Sequence, residues 1–190
     1  MSSFGAEPID FGSPSIGAVA GTANKCLHGV PGVSFVIARR ATLARAAERT
    51  YYLDLGRLAR LQDERGTPFT PAVHACYGLV EALREFADEG GRSARHRRYE
   101  MLAEQVRAGL AGHGVEAAIP VGESSVVLRA YRLPRVMTYQ MLHDALKAEG
   151  FVIYAGHSGL SSTLFRISTT GNLSAGDIDR LLRCFGRLLE

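Results

Sequence analysis

Lysine is scarce in this chain. Of 22 basic residues, only Lys25 and Lys147 are lysines; the rest are arginine. Arginine keeps its proton near neutral pH, whereas a lysine in an apolar or cationic setting can lose its own. A free lysine amine condenses with carbonyl compounds. Lys25 stands in Thr22-Ala23-Asn24-Lys25-Cys26-Leu27-His28-Gly29-Val30-Pro31-Gly32, between a Gly- and Ser-rich lead-in and the apolar run Val33–Ala38. On the residues alone, a solvated loop charge is the ordinary alternative. Arg166 is the second residue of interest. It lies inside the apolar segment Leu164-Phe165-Arg166-Ile167, on the strand face opposite Phe165. A charge there needs a carboxylate of the chain or an anionic ligand. A planar guanidinium serves both, giving two parallel hydrogen bonds to a carboxylate. Thr70 precedes Pro71 at the head of a predicted helix. The pair reads as an N-cap followed by proline at the first helical position, and a helix N-terminus is also an anion site.

The other candidates are weaker. Cys26, Cys76 and Cys184 are odd in number and have no metal-type spacing. They point to a reduced, cytoplasmic compartment, with Cys26 a small packed thiol. His28 and His74 lie near the lysine loop and the Thr70 helix, and a structural role is the simpler reading for both. The cluster Arg92-Ser93-Ala94-Arg95-His96-Arg97-Arg98 lacks interleaved aromatics or a binding motif. It reads as the solvated opening of a helix, not a nucleic-acid surface. No apolar run reaches the ~18–20 residues of a membrane span, and the N-terminus does not read as a signal peptide.

Several elements must position these residues. A short strand is expected over 16–20 and another over 33–38; if the latter is a buried parallel strand, it needs a neighbour on each side. Helical spacing is good over 39–49, including Ala46 and Ala47, and from Leu55 to Leu61, with Tyr51-Tyr52-Leu53 extended between. Arg65–Pro71 breaks any helix. A helix over 72–87 places Val73, Tyr77, Val80, Leu83 and Phe86 at three- and four-residue intervals, and Gly90-Gly91 ends it. A long helix runs from Ser93 to about Ala111 with Met101, Leu102, Val106 and Leu110 on its apolar face. Then come strands over 115–120 and 124–133, a helix over 138–150, strands over 151–155 and 163–168, and a helix over 174–189. That last helix is capped by Ser174 with Asp177 in its first turn. This is a two-layer α+β pattern.

The segment Thr22–Cys26, then Gly29-Val30-Pro31-Gly32 and a strand ending Ala38-Arg39, resembles the cofactor-lysine segment of class V pyridoxal-phosphate aminotransferases. Met1-Ser2-Ser3-Phe4-Gly5 resembles the segment after that family's strand-end aspartate. Phe165-Arg166-Ile167 with Gly171 and Asp177-Ile178 resembles its C-terminal signature. The likeness runs along the whole chain but covers only the C-terminal half of a family member. It is greatest to the branch that moves the amino group of 2-aminoethylphosphonate to pyruvate; serine- or alanine–glyoxylate enzymes are the near variants. The resemblance implies an α/β fold, the C-terminal part of a fold-type I large domain over 1–90 and a small α+β domain over 91–190. It implies that Lys25 carries pyridoxal 5'-phosphate, that Thr70 meets the cofactor phosphate of a partner subunit in a homodimer, and that Asn24 shapes the lysine loop. Thr67 assists Thr70, and Arg166 binds the phosphonate or carboxylate of the substrate. It also implies that the phosphate loop, the aromatic stacked on the pyridine and the aspartate on its nitrogen lie upstream of the residue matching Met1. A weak cofactor binder, or a non-catalytic remnant, is the competing expectation for this chain by itself. Ser168-Thr169-Thr170 departs from the family, which has a glycine-containing step there.

Overall fold

A computed structural model describes residues 1–45 and 50–189. They form two compact units, Met1–Phe4 with Pro8–Asp88 and Gly5–Glu7 with Glu89–Glu190.

In the first unit, β1 (Ala18–Thr22) pairs antiparallel with β2 (Ser34–Ala38), Ala18 opposite Ala38 and Thr22 opposite Ser34. The buried parallel arrangement considered for 33–38 is not the one formed with β1. Residues 23–33 return the chain directly beside β1, whereas a parallel pair needs a crossover of about a dozen residues or more. Val36 and Ile37 are 42% and 43% exposed. Helix α1 (Arg40–Ala44) covers the start of the helical stretch expected over 39–49; residues 46–49 lie outside the described residues. Tyr51–Leu53 bends instead of extending, and Leu53 takes a positive φ of 59°. Helix α2 (Leu55–Asp63) follows, its amino end closed by Asp54, which accepts from Arg57 N at 2.8 Å.

Helix α3 (Val73–Asp88) corrects two expectations. Its first i→i−4 bond runs from Cys76 N to Ala72 O at 3.1 Å, while Val73 N bonds Pro71 O at 2.9 Å. The capping position is thus Ala72, and Thr70 stands outside the helix, its hydroxyl making no hydrogen bond among the described residues. The apolar stripe Val73, Tyr77, Val80 and Leu83 is exposed, and the helix buries Ala75 and Ala82. Small side chains decide this. A Cβ at Gly78 would stand 2.9 Å from Val30 Cγ2, and one at Gly32 3.1 Å from Ala75 Cβ. The Ala75–Gly78–Ala82 side is the side that lets the lysine loop approach closely.

In the second unit, Gly90 and Gly91 take positive φ values of 96° and 69° and turn the chain into α4 (Gly91–Gly112), which starts ahead of Ser93. Tyr99, Leu102, Ala103, Val106 and Leu110 are buried, but Met101 is exposed, one position off that stripe. The arginine cluster is not wholly solvated either. Arg95 is fully buried, with Nη2 2.7 Å from Glu89 Oε2. The sheet has β5 (Leu164–Ser168) between β3 (Leu128–Arg132) and β4 (Tyr154–Ala155), both antiparallel to it. Residues 115–120 add only a bridge from Ala117 to Tyr131, so the fourth expected strand is absent among the described residues. The 124–133 strand is shortened because the Glu7 carboxylate accepts from Ser125 Oγ at 2.7 Å and Val126 N at 2.9 Å.

Helix α5 (Tyr139–Ala148) is capped by Thr138, and α6 (Ala175–Leu189) begins at a reciprocal pair. Asp177 N donates to Ser174 Oγ at 3.2 Å, and Ser174 N to Asp177 Oδ2 at 3.0 Å. One apolar core joins Tyr131, Phe165 and Ile167 of the sheet to Leu102, Val106 and Leu110 of α4, Leu142 and Leu146 of α5, and Ile178, Leu181 and Phe185 of α6. Among the described residues no helix is long and apolar enough to cross a membrane.

Candidate functional site

The lysine loop is a tight backbone turn. Gly29 N donates to Ala23 O at 2.8 Å, His28 N to Lys25 O at 2.9 Å, and Ala23 N to Val33 O at 3.0 Å. His28 absorbs the sharpest bend with φ 63°. Gly29 has no room for a side chain, since a Cβ there would lie 3.0 Å from Ala23 Cβ and 3.1 Å from Ala23 O. Ala23, Cys26 and Leu27 anchor the turn in the unit, and Cys26 Sγ donates to Ser2 O at 3.3 Å. Asn24 and Lys25 are left exposed at its tip. The Lys25 amine has no hydrogen-bond or ion-pair partner among the described residues. The loop buries its anchors and turns the lysine outward.

Thr70 is exposed in the same unit, on the approach to α3, with His74 exposed in the first turn of that helix. The unit's large cleft, about 970 Å³, is elsewhere. It lies against Phe35 and Val36 of β2 and Leu55 and Leu58 of α2, with Thr67 on its rim; Lys25, Asn24 and Thr70 do not line it. Arg40 closes one wall by a two-pronged pair to Asp63 at 2.9 and 3.1 Å. That guanidinium holds the Asp63 carboxyl below the usual carboxylate range.

Arg166 stands on the β5 face opposite Phe165 and Ile167, which are in the core. Its Nε donates to Ala155 O at 2.7 Å, a bond created by the β4–β5 pairing that sets Tyr154 opposite Arg166. No carboxylate pairs with it among the described residues, so the internal salt bridge weighed from sequence is absent there. One nitrogen is tied down, which orients the fork, and the two Nη groups remain for an anion. Ala155 is a positioning group that the sequence reading missed. No residue-type signal marks it, because its role is a main-chain carbonyl set by strand register. Beyond Arg166, Ser168 Oγ donates to Val127 O at 3.1 Å and Thr169 Oγ1 to Val126 O at 2.9 Å. The hydroxyls that depart from the family pattern thus tie β5 to residues 126–127. Among the described residues no group of His, Cys, Asp or Glu side chains is placed to hold a metal ion.

No protein-family model matches the chain. It is 38% identical over 188 residues to the 2-aminoethylphosphonate–pyruvate transaminase of Aeromonas hydrophila, covering 96% of this chain and 49% of that protein. The Klebsiella pneumoniae protein of the same name is 37% identical, with 96% and 51% covered. Among solved structures, an alanine–glyoxylate aminotransferase from Nostoc sp. superposes with a TM-score of 0.89 at 21% identity, covering all of this chain and 52% of that one. A pyridoxamine–pyruvate aminotransferase from Mesorhizobium loti gives 0.81 at 24% identity, with 90% and 45% covered. The chain is therefore similar, along nearly its whole length, to 2-aminoethylphosphonate–pyruvate transaminases while spanning about half of theirs, and its fold is that of the C-terminal half of a class V aminotransferase.

Proposed function

We propose that this chain is the lysine-bearing half of a pyridoxal-phosphate-dependent aminotransferase. Its reaction moves the amino group of 2-aminoethylphosphonate to pyruvate, giving phosphonoacetaldehyde and L-alanine. The observation that carries this reading is the 37–38% identity, over 96% of the chain, to transaminases of that name. In the reading, residues 1–90 are part of the cofactor-binding large domain and 91–190 the small domain, in a cytoplasmic homodimer.

The residues present fit the cofactor at its attachment point. The Lys25 amine is exposed and unpartnered among the described residues, on a turn held by backbone bonds, and the Thr70 hydroxyl is free of hydrogen bonds there. Lys25 would hold the cofactor and then move a proton at its Nζ to and from the substrate carbon. Thr70, assisted by Thr67, would hold the phosphate of the partner subunit's cofactor, and Asn24 would keep the loop in shape. Pyridoxal phosphate, when bound, supplies the electron sink for bond cleavage at that carbon. Arg166 would grip the phosphonate of one substrate and the carboxylate of the other with its two Nη groups, its Nε held by Ala155. Because the chain spans about half of its relatives, turnover by this polypeptide alone is expected to be low.

The two lysines make a clean test. Both Lys25 and Lys147 are exposed, so a merely solvated amine at Lys25 would react no better than Lys147. Incubation with pyridoxal phosphate, borohydride reduction and peptide mass spectrometry should place the label on Lys25 in clear excess, and Lys25→Ala should remove it. Equal labelling of the two lysines, or none, would overturn the reading. Phosphonoacetaldehyde formed from 2-aminoethylphosphonate and pyruvate, and not from alanine or serine with glyoxylate, separates the substrate classes.

A further inference from the structure

One face of the C-terminal sheet is arranged around Arg166. Phe165 and Ile167 of β5 point into the core, so Leu164, Arg166 and Ser168 stand on the opposite face. Strand register sets Ala130 of β3 on one side of Arg166 and Tyr154 of β4 on the other. Cross-strand partners share a face, with Cβ atoms about 4.5–5.5 Å apart. Ala130 carries no group for a ligand. Tyr154 is 52% exposed, and its hydroxyl has no hydrogen bond among the described residues. The Arg166 Nε bond runs to the carbonyl of Ala155, the residue after Tyr154, so the guanidinium leans toward the tyrosine's strand.

An arginine fork gives two parallel hydrogen bonds, and these satisfy the two oxygens of a carboxylate. A phosphonate presents a third oxygen, which needs another donor. Among the described residues of these strands, three further donors share the face. Ser168 gives its hydroxyl proton to Val127 O at 3.1 Å. Arg132, diagonal to Arg166 on β3, has Nε 3.8 Å from Glu116 Oε2. Tyr154 is the donor left uncommitted. We propose that Tyr154 is a specificity-determining residue: its hydroxyl donates to the third oxygen of a phosphonate held by Arg166, while a carboxylate uses the fork alone. This deepens the reading above and rests on it for the choice of anion. A phosphonate also carries the larger charge, so Arg166 by itself already favours it. The hydroxyl's share is the part of the preference that Tyr154→Phe removes.

The test titrates the full, isotope-labelled chain with 2-aminoethylphosphonate and with β-alanine, which share the aminoethyl group and differ in the anion. Nuclear magnetic resonance follows the Arg166 Nε–H signal, which the bond to Ala155 O protects from exchange. Both ligands should shift it, and 2-aminoethylphosphonate should also shift the Tyr154 ring signals. Arg166→Gln should abolish that ring shift. Tyr154→Phe, at a half-exposed position, should weaken 2-aminoethylphosphonate about fivefold or more and leave β-alanine within about twofold. Equal losses for the two ligands would assign Tyr154 a packing role and overturn the proposal. Unchanged affinities, or a parent chain whose Arg166 and Tyr154 signals ignore both ligands, would also overturn it. Failed Lys25 labelling with the phosphonate-selective loss intact would remove the aminotransferase reading and keep this one. Labelled Lys25 with that loss missing would do the reverse.

Discussion

The C-terminal unit buries Tyr99, Tyr131, Phe165 and Phe185, and the N-terminal unit buries no aromatic side chain among its described residues. The former stacks Phe165 between Tyr131 and Phe185, ring centroids 5.6 and 5.8 Å away, inside a core fed by three helices and a sheet. In the latter, the buried apolar residues are Val19, Ala23, Cys26, Leu27, Ala75 and Ala82, none larger than leucine, while Tyr51, Tyr52, Phe69 and Tyr77 are exposed. Both units carry well-patterned helices. A pattern becomes a core only when a second layer is present to receive it, and each large apolar side chain so received adds about 1.5–3 kcal/mol. The unit bearing Lys25 is thus the one whose stability depends on what it meets, and the unit bearing Arg166 supplies its own.

The sharpest way to break this contrast is to truncate one aromatic in each unit. Phe165→Ala removes a ring that is fully buried and should cost about 3–5 kcal/mol. Tyr77→Ala removes a ring that is 72% exposed and should change stability by no more than about 0.5 kcal/mol. Urea unfolding followed by far-UV circular dichroism measures both. Similar costs would mean that the N-terminal unit has a packed interior after all.

Alkaline titration sharpens the same point from the other side. Burial pushes the Tyr131 hydroxyl from an ordinary 10 up to about 12, against the opposing pull of Arg129 and Arg107. The folded state therefore holds this proton more tightly than the unfolded chain does. Stability should fall as pH rises from 10 toward 12, by at most about 2–3 kcal/mol at about 1.4 kcal/mol per unit. Tyr131→Phe should flatten that slope. An unchanged slope in the variant would place the loss in some other group.

Much of the C-terminal unit is legible in the sequence because its signals are local. Thr138 and Ser174 with Asp177 mark helix starts by side-chain capping, and Gly90-Gly91 marks a reversal by backbone freedom. Lys25 and Arg166 are legible as candidates for a different reason: a charge type that is rare in the chain, and a charge set in an apolar strand. What was not legible depends on partners. The direction of β2 is fixed by a connection too short for a crossover. The exposed stripe of α3 is fixed by the small Ala75–Gly78–Ala82 side, which the lysine loop claims first. Arg95 looked solvated because Glu89, its counter-charge, lies before the helix and not on it. The Ala155 carbonyl that aims Arg166 has no sequence signature, since register alone delivers it.

The smallest effect tests whether the self-sufficiency of the C-terminal unit extends to its last helix. Ser174 and Asp177 satisfy each other's backbone amides at the start of α6, and Ser174 holds the Asp177 carboxyl below its usual range. Ser174→Ala should cost about 1 kcal/mol at neutral pH. A depressed carboxyl contributes its stability above the unfolded pKa and loses it as pH falls through the folded one. The gap between parent and variant should therefore hold at neutral pH and narrow in acid, once Asp177 is protonated and no longer accepts from Ser174. Amide exchange should place the loss in 175–189. A gap that stays constant in acid would assign the cap to the serine alone, and a loss spread into residues 18–38 would mean that the two units do not stand on separate footings.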